Sequence, residues 1–123
     1  MIPDEISEQL RISLAETDAR VRFEFPRWLR PILFRGVAAI TLGRRIYLAP
    51  ETIHLPLPEI EALLRHELAH VRQAVSLGLP RFIYRYVNEY IDLRLAGRTA
   101  AQAYREISFE REAFAEELGD EQV

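Results

Sequence analysis

The chain has no cysteine. Disulfides are therefore excluded, and any metal must be held by histidine, aspartate or glutamate. It also has no lysine. Its sixteen basic residues are all arginine and are outnumbered by nineteen acids, for a net charge of −3. That balance implies no broad basic surface, so no nucleic-acid partner is expected. No apolar run approaches membrane-spanning length, and the N-terminus shows no signal-peptide pattern, so the expected address is the cytoplasm, with no membrane partner. Histidine is scarce as well: His54, His66 and His70 are all there are. Scarcity makes their spacing informative.

What remains is ordinary for one globular domain. The 123 residues are 49% hydrophobic and 28% charged, enough for a single core spanning 1–123. Pro3, Asp4 and Glu5 suit a helix start, and Ile6, Leu10, Leu14 and Val21 give an apolar stripe, so a helix is expected from Pro3 to about Ala19. Val21 to Phe25 alternates with period two and reads as a short strand ended by Pro26. Val37 to Leu42 and Ile46 to Leu48, joined by Gly43-Arg44-Arg45, read as a hairpin. A long helix should run from Pro58 to the stop at Gly78, a third from about Arg81 to Ala96, and a fourth from the capping box Thr99-x-x-Gln102 to about Leu118. The tail from Gly119 reads as frayed. The fold class is α+β, with a small sheet of about three strands.

The central helix carries His66-Glu67-x-x-His70. Residues i and i+4 share one helical face, so two imidazoles can reach one ion, and Glu67 is rotated toward the ion's open side. The pattern is that of zinc-dependent hydrolases, in which zinc activates a water and the glutamate takes its proton. Two histidines do not complete such a site. A third downstream histidine does not exist, and His54 lies upstream, so the third ligand should be a carboxylate. Glu110 borders the apolar face of the fourth helix, with Glu106 and Glu117 on the same edge as possible supporting partners. Glu89, nineteen residues after His70, borders the face of the third helix near Phe82, Tyr86 and Leu93. Helical geometry leaves the two open.

With these residues the sequence resembles the gluzincins, zinc metallopeptidases that pair the His-Glu-x-x-His helix with a glutamate on a later one. Glu110-x-Glu112-Ala113 looks like the stretch in CAAX-type membrane proteases and ImmA/IrrE-type proteases whose first glutamate binds zinc, although Phe114 stands where those families have Asp or Asn. Asn88-Glu89 is similar to the Asn-Glu pair of one-zinc aminopeptidases. The run His66 to Gln73, together with Tyr104-Arg105-x-Ile107-x-Phe109-Glu110-Arg111-Glu112-Ala113, looks like small bacterial zincin-like proteins, and that pairing favours Glu110. The resemblance implies a minimal zincin: a backing helix, a sheet, an active-site helix and a glutamate helix. It also implies Zn²⁺ on His66, His70 and Glu110 (or Glu89), Glu67 as general base, and a peptide or unfolded protein as substrate. The alternative expectation is a non-catalytic zincin-like module that binds a protein partner around a structural or vestigial metal. Tyr84, Tyr86, Tyr90, Tyr104 and His54 are candidates to steady an oxyanion, and the strand Ile46-Tyr47-Leu48 is a candidate edge for strand addition by a peptide. A second rival is a plain helical domain without metal, in which Arg65, Arg72 and Gln73 would be the solvated face of the central helix.

Overall fold

A computed structural model describes residues 3, 5–32 and 37–118. Its elements are α1 (Glu8–Glu16), β1 (Arg20–Arg22), β2 (Ala39–Leu42), β3 (Arg45–Leu48), α2 (Leu57–Leu77), α3 (Leu79–Leu95), α4 (Ala100–Glu106) and α5 (Ser108–Glu117), with short 3₁₀ turns at Arg30–Ile32 and Pro50–His54. The class is α+β, as expected. The frayed-tail expectation falls on residues outside the described ones. Among the described residues, no helix is long and apolar enough to cross a membrane.

α1 starts later than Pro3. Ser7 caps it, its Oγ accepting from Leu10 N at 3.3 Å, and its own N–H donates to Glu61 Oε2 at 2.7 Å. A serine side chain that satisfies an orphan N–H is a better start than proline geometry alone. Leu10 and Leu14 still face inward, with Ile6 buried just ahead of the helix. They pack on Ile60, Leu64, Leu68 and Val71 of α2 and on Ile46 and Leu48 of β3. α1 is thus the backing layer of the core.

The sheet has the order β1-β3-β2. β1 runs parallel to β3, with Val21 opposite Ile46, and β2 runs antiparallel to β3, with Thr41 opposite Ile46. The hairpin closes at Gly43, whose φ of 65° suits glycine. This order corrects one expectation. Ile46-Tyr47-Leu48 is the central strand, paired on both sides, and so has no free edge. All three residues are buried, the mark of a strand covered on both faces. β2 is the edge strand next to α2.

The fourth helix is also corrected: it is two helices. The Thr99–Gln102 capping box is formed as expected. Ile107, fully buried, then takes φ −58° and ψ 131°, ending α4 and starting α5. Glu89 holds the new helix start, its Oε1 accepting from Ser108 N at 2.9 Å and its Oε2 from Ser108 Oγ at 2.7 Å. A carboxylate there satisfies orphan N–H groups and meets the positive end of the helix dipole. At the other end, the Arg65 guanidinium donates to Glu117 O at 2.8 and 3.1 Å. α5 is therefore held by α3 at its start and by α2 at its end.

Candidate metal centre

α2 buries one face deeply, and that face carries the chemistry. His66, Glu67 and His70 are 3%, 6% and 6% exposed, and Glu110 of α5 is 3% exposed. The two imidazoles lie 5.0 Å apart between ring centroids. Both turn Nε2 toward one oxygen, Glu110 Oε1, at 2.9 Å from His66 and 3.1 Å from His70. Of the two carboxylates left open by the sequence, α5 thus brings Glu110 to the pair. Glu89 sits on the outer side, engaged with Ser108. It serves the site indirectly by locating the helix that bears Glu110.

The far nitrogens of the rings settle the proton arrangement. His66 Nδ1 lies 2.8 Å from Glu117 Oε1. His70 Nδ1 lies 2.8 Å from Gln73 Oε1. The Gln73 amide is oriented by its other end, where Nε2 donates to Phe109 O at 3.0 Å and to Glu112 Oε1 at 3.1 Å. Both partners of the Nδ1 atoms are therefore acceptors, and each Nδ1 bears the proton. In the neutral rings both Nε2 atoms then carry lone pairs, aimed at a carboxylate oxygen that is itself an acceptor. Two ring nitrogens within 3.1 Å of one carboxylate oxygen, all three lone-pair atoms, need positive charge among them, whether protons or a cation. Adjacent donors around a tetrahedral zinc stand about 3.3–3.6 Å apart, a few tenths of an ångström wider than this. The donor set also suits the ion: two imidazoles, a carboxylate, and N–H groups anchored on acceptors behind the rings.

Gln73 lies where the metal-free reading of the helix did not put it. It is 7% exposed rather than part of a solvated face. Its position was a usable signal, since it lies three residues after His70 and seven after His66, on their face of the helix. Glu117, expected as a supporting partner, contacts His66. Glu106 does not, because the break at Ile107 turns it outward to Arg98 at 3.1 Å. Phe114 packs edge-on against His66, ring centroids 4.6 Å apart. It fills the space beside that imidazole with an apolar ring, and the imidazoles are held at Nδ1 by Glu117 and Gln73.

Electrostatics follow from burial and proximity. Burial alone would raise Glu110, but hydrogen bonds from His66, His70 and Tyr86 more than offset it and hold its carboxyl down at about 2. Burial would lower His66 and His70, but the Glu110 hydrogen bond and the nearby charges of Glu67 and Glu110 raise both. Glu67 is raised, with burial the largest cause. Its Oε1 accepts from Thr41 Oγ1 at 2.8 Å, which ties the site helix to β2.

A groove of about 360 Å³ opens over this cluster. Ile40, Thr41 and Leu42 of the edge strand form one wall, Phe82, Ile83 and Val87 of α3 the other, and Glu67, His70 and Glu110 lie in its lining. Tyr86 and Tyr104 also line it, and Tyr86 OH donates to Glu110 Oε2 at 2.5 Å. Burial, with the charge of Glu110, pushes both phenols above their ordinary value. Tyr84 is 71% exposed, Tyr90 receives Arg94, and His54 ends a surface 3₁₀ turn. None of these three reaches the groove lining.

The site thus belongs to a general class: a helix-borne pair of imidazoles with an intervening glutamate, closed by a carboxylate from a second helix and open to a groove. Residues 35–77 match the eCIS core domain, a domain of extracellular contractile injection systems. The matched stretch is about a third of the chain and runs through β2, β3 and all of α2. It includes His66, Glu67 and His70 and ends before Glu110. A comparison with curated proteins gave no match, and neither did one with solved structures.

Proposed function

We propose that the protein is a minimal zinc-dependent peptidase of the gluzincin type, with His66, His70 and Glu110 holding the ion and Glu67 acting as general base. The observation that carries this reading is the convergence of three lone-pair donors with both imidazole N–H groups already committed behind them. A purely structural zinc is normally closed by four protein ligands and needs no base. Here His66, His70 and Glu110 converge on one point, and a fourth group, Glu67, within 4.8 Å of the histidine nitrogens, lies on the groove side with one oxygen already held by Thr41.

A bound zinc ion supplies a Lewis acid and lowers the pKa of the attacking water towards ~7. Glu67 receives that water's proton and returns it to the leaving amine. Thr41 anchors one of its oxygens, leaving the second for the exchange. Burial raises its pKa, which moves it toward the range in which a base both accepts and gives up a proton. Tyr104 and Tyr86 line the groove and keep their protons, Tyr86 donating its own to Glu110 Oε2. The edge of β2 that no described strand pairs can receive an extended peptide by strand addition, with side chains facing the apolar groove. Peptides and unfolded proteins are the substrates this shape suits, and the eCIS core likeness makes components of such a system the first ones to try.

The test is metal content together with cleavage. Protein purified without chelator should carry about one equivalent of zinc. Glu67→Gln should keep the zinc and lose about 10²–10⁴-fold in cleavage of an unfolded substrate. Absence of zinc, with none taken up on titration, defeats the proposal. Zinc present with equal residual cleavage by parent and variant would replace it with the non-catalytic binding module.

A further inference from the structure

α3 reaches the closing carboxylate as well as the groove. Tyr86 and Glu89 stand at i and i+3 on it, so both project from one face. Each takes hold of the first turn of α5. Glu89 accepts from Ser108 N and Oγ, and Tyr86 OH donates to Glu110 Oε2 at 2.5 Å. The bonds to Ser108 fix where α5 begins. The bond to Glu110 fixes how its carboxylate is turned. The Tyr86 ring has little freedom of its own. It packs against Phe82 at 5.9 Å and Phe109 at 6.4 Å between centroids, almost parallel to the latter.

The two oxygens of Glu110 thereby have different tasks. Oε1 faces both imidazole Nε2 atoms, whereas the described bond of Oε2 is to the tyrosine hydroxyl. A carboxylate can meet a cation through one oxygen or through both. Two imidazoles and one oxygen leave a tetrahedral ion one free place, and two imidazoles with both oxygens fill it. The orientation of Glu110 therefore decides whether an ion here has room for a water. Glu110 is 3% exposed, so bulk water does not stand in for the hydroxyl. Without that donor, Oε2 would be a buried acceptor free to turn to a cation beside Oε1.

We propose that Tyr86 is a positioning residue: its hydroxyl engages Glu110 Oε2 so that Glu110 meets the metal through Oε1 alone, and the ion keeps one open place. The assignment presupposes an ion on His66, His70 and Glu110, and adds what keeps that site from closing on itself. Packing alone does not call for the hydroxyl, because phenylalanine would make the same ring contacts.

Cobalt(II) in place of zinc tests this, since its visible absorption follows its coordination and azide is a small anion that needs an open place. Azide should shift the spectrum of the cobalt-loaded parent and saturate. Tyr86→Phe keeps the ring, and should take up cobalt but bind azide at least about tenfold more weakly. Phe109→Leu loosens the ring packing, spares the hydroxyl, and should bind azide as the parent does. Each protein is measured below the melting onset of its metal-free form. Azide affinity unchanged within about threefold in Tyr86→Phe, or lost equally in Phe109→Leu, overturns the proposal. A parent that holds cobalt and ignores azide also overturns it, and leaves the metal site standing. A parent that takes up neither cobalt nor zinc defeats the metal reading and this one with it.

Discussion

Replacing Gln73 by leucine separates a ring held for metal from a ring that merely packs. The change keeps the apolar bulk and removes the acceptor that fixes the proton on His70 Nδ1. To offer its Nε2 lone pair to an ion, His70 would then have to bury an unsatisfied Nδ1–H, at a cost of about 1–3 kcal/mol. Loss of such a supporting partner typically weakens metal affinity about 10–100-fold, or about 1.4–2.7 kcal/mol, and the two figures agree. The metal-free protein has an escape. Its imidazole can move the proton to Nε2 and donate to Glu110 Oε1, already 3.1 Å away. The metal-free fold should therefore lose only the two hydrogen bonds of Gln73 Nε2 to Phe109 O and Glu112 Oε1, about 1–3 kcal/mol, and the loaded form should lose more. Competition with a zinc-binding dye measures the affinity, and calorimetry of the metal-free protein measures the fold. Affinity unchanged within twofold in Gln73→Leu, or equal losses in the metal-free and loaded forms, would refute the proton arrangement on which the site rests.

Two further outcomes follow from the same geometry. Glu110, held at about 2, stabilises the metal-free fold above the ordinary 4.5 and ceases to do so as pH falls towards 2. His66 and His70, both raised, stabilise it fully below 6.5 and lose that contribution as pH rises through their folded values. Glu67, also raised, likewise costs stability once it ionises in place. The melting temperature of the metal-free protein should thus be higher at pH 5.5 than at pH 8.0, flatten in Glu110→Gln, and show the opposite trend with zinc loaded, since protons compete with the ion; a metal-free protein more stable at pH 8.0 contradicts the assignment. Ile107→Ala removes a fully buried side chain at the α4–α5 break and should cost about 2–5 kcal/mol by urea denaturation. A loss under 1 kcal/mol would mean that the break is not anchored there.

The paired imidazoles were legible because helical spacing alone puts His66 and His70 on one face, and α1's stripe was legible for the same reason. Glu110 and Glu89 were not separable by periodicity, since both border apolar faces. What separates them is the turn at Ile107, and apolar positions at 103, 107 and 114 fit one helix as well as two. That turn is set by a distant carboxylate, Glu89, which no local pattern announces. Strand order was similarly hidden, although the unbroken Ile46-Tyr47-Leu48 run carried a hint of a strand covered on both faces. Gln73 was overlooked because a glutamine beside an arginine reads as surface. Its registry with the two histidines was the better guide.

The separation of α5 from α4 has a consequence for assembly. Two imidazoles and the glutamate proposed as base arrive on a single continuous rod, but the carboxylate that meets them comes on a ten-residue piece clasped by Glu89 of one helix and Arg65 of another. The pocket for an ion can come into being only after three helices have met, so it should be among the last features to mature as the chain folds. A chain carrying the stretch from 35 to 77 alone would own the imidazoles and the base, yet would have to borrow its closing acid from elsewhere.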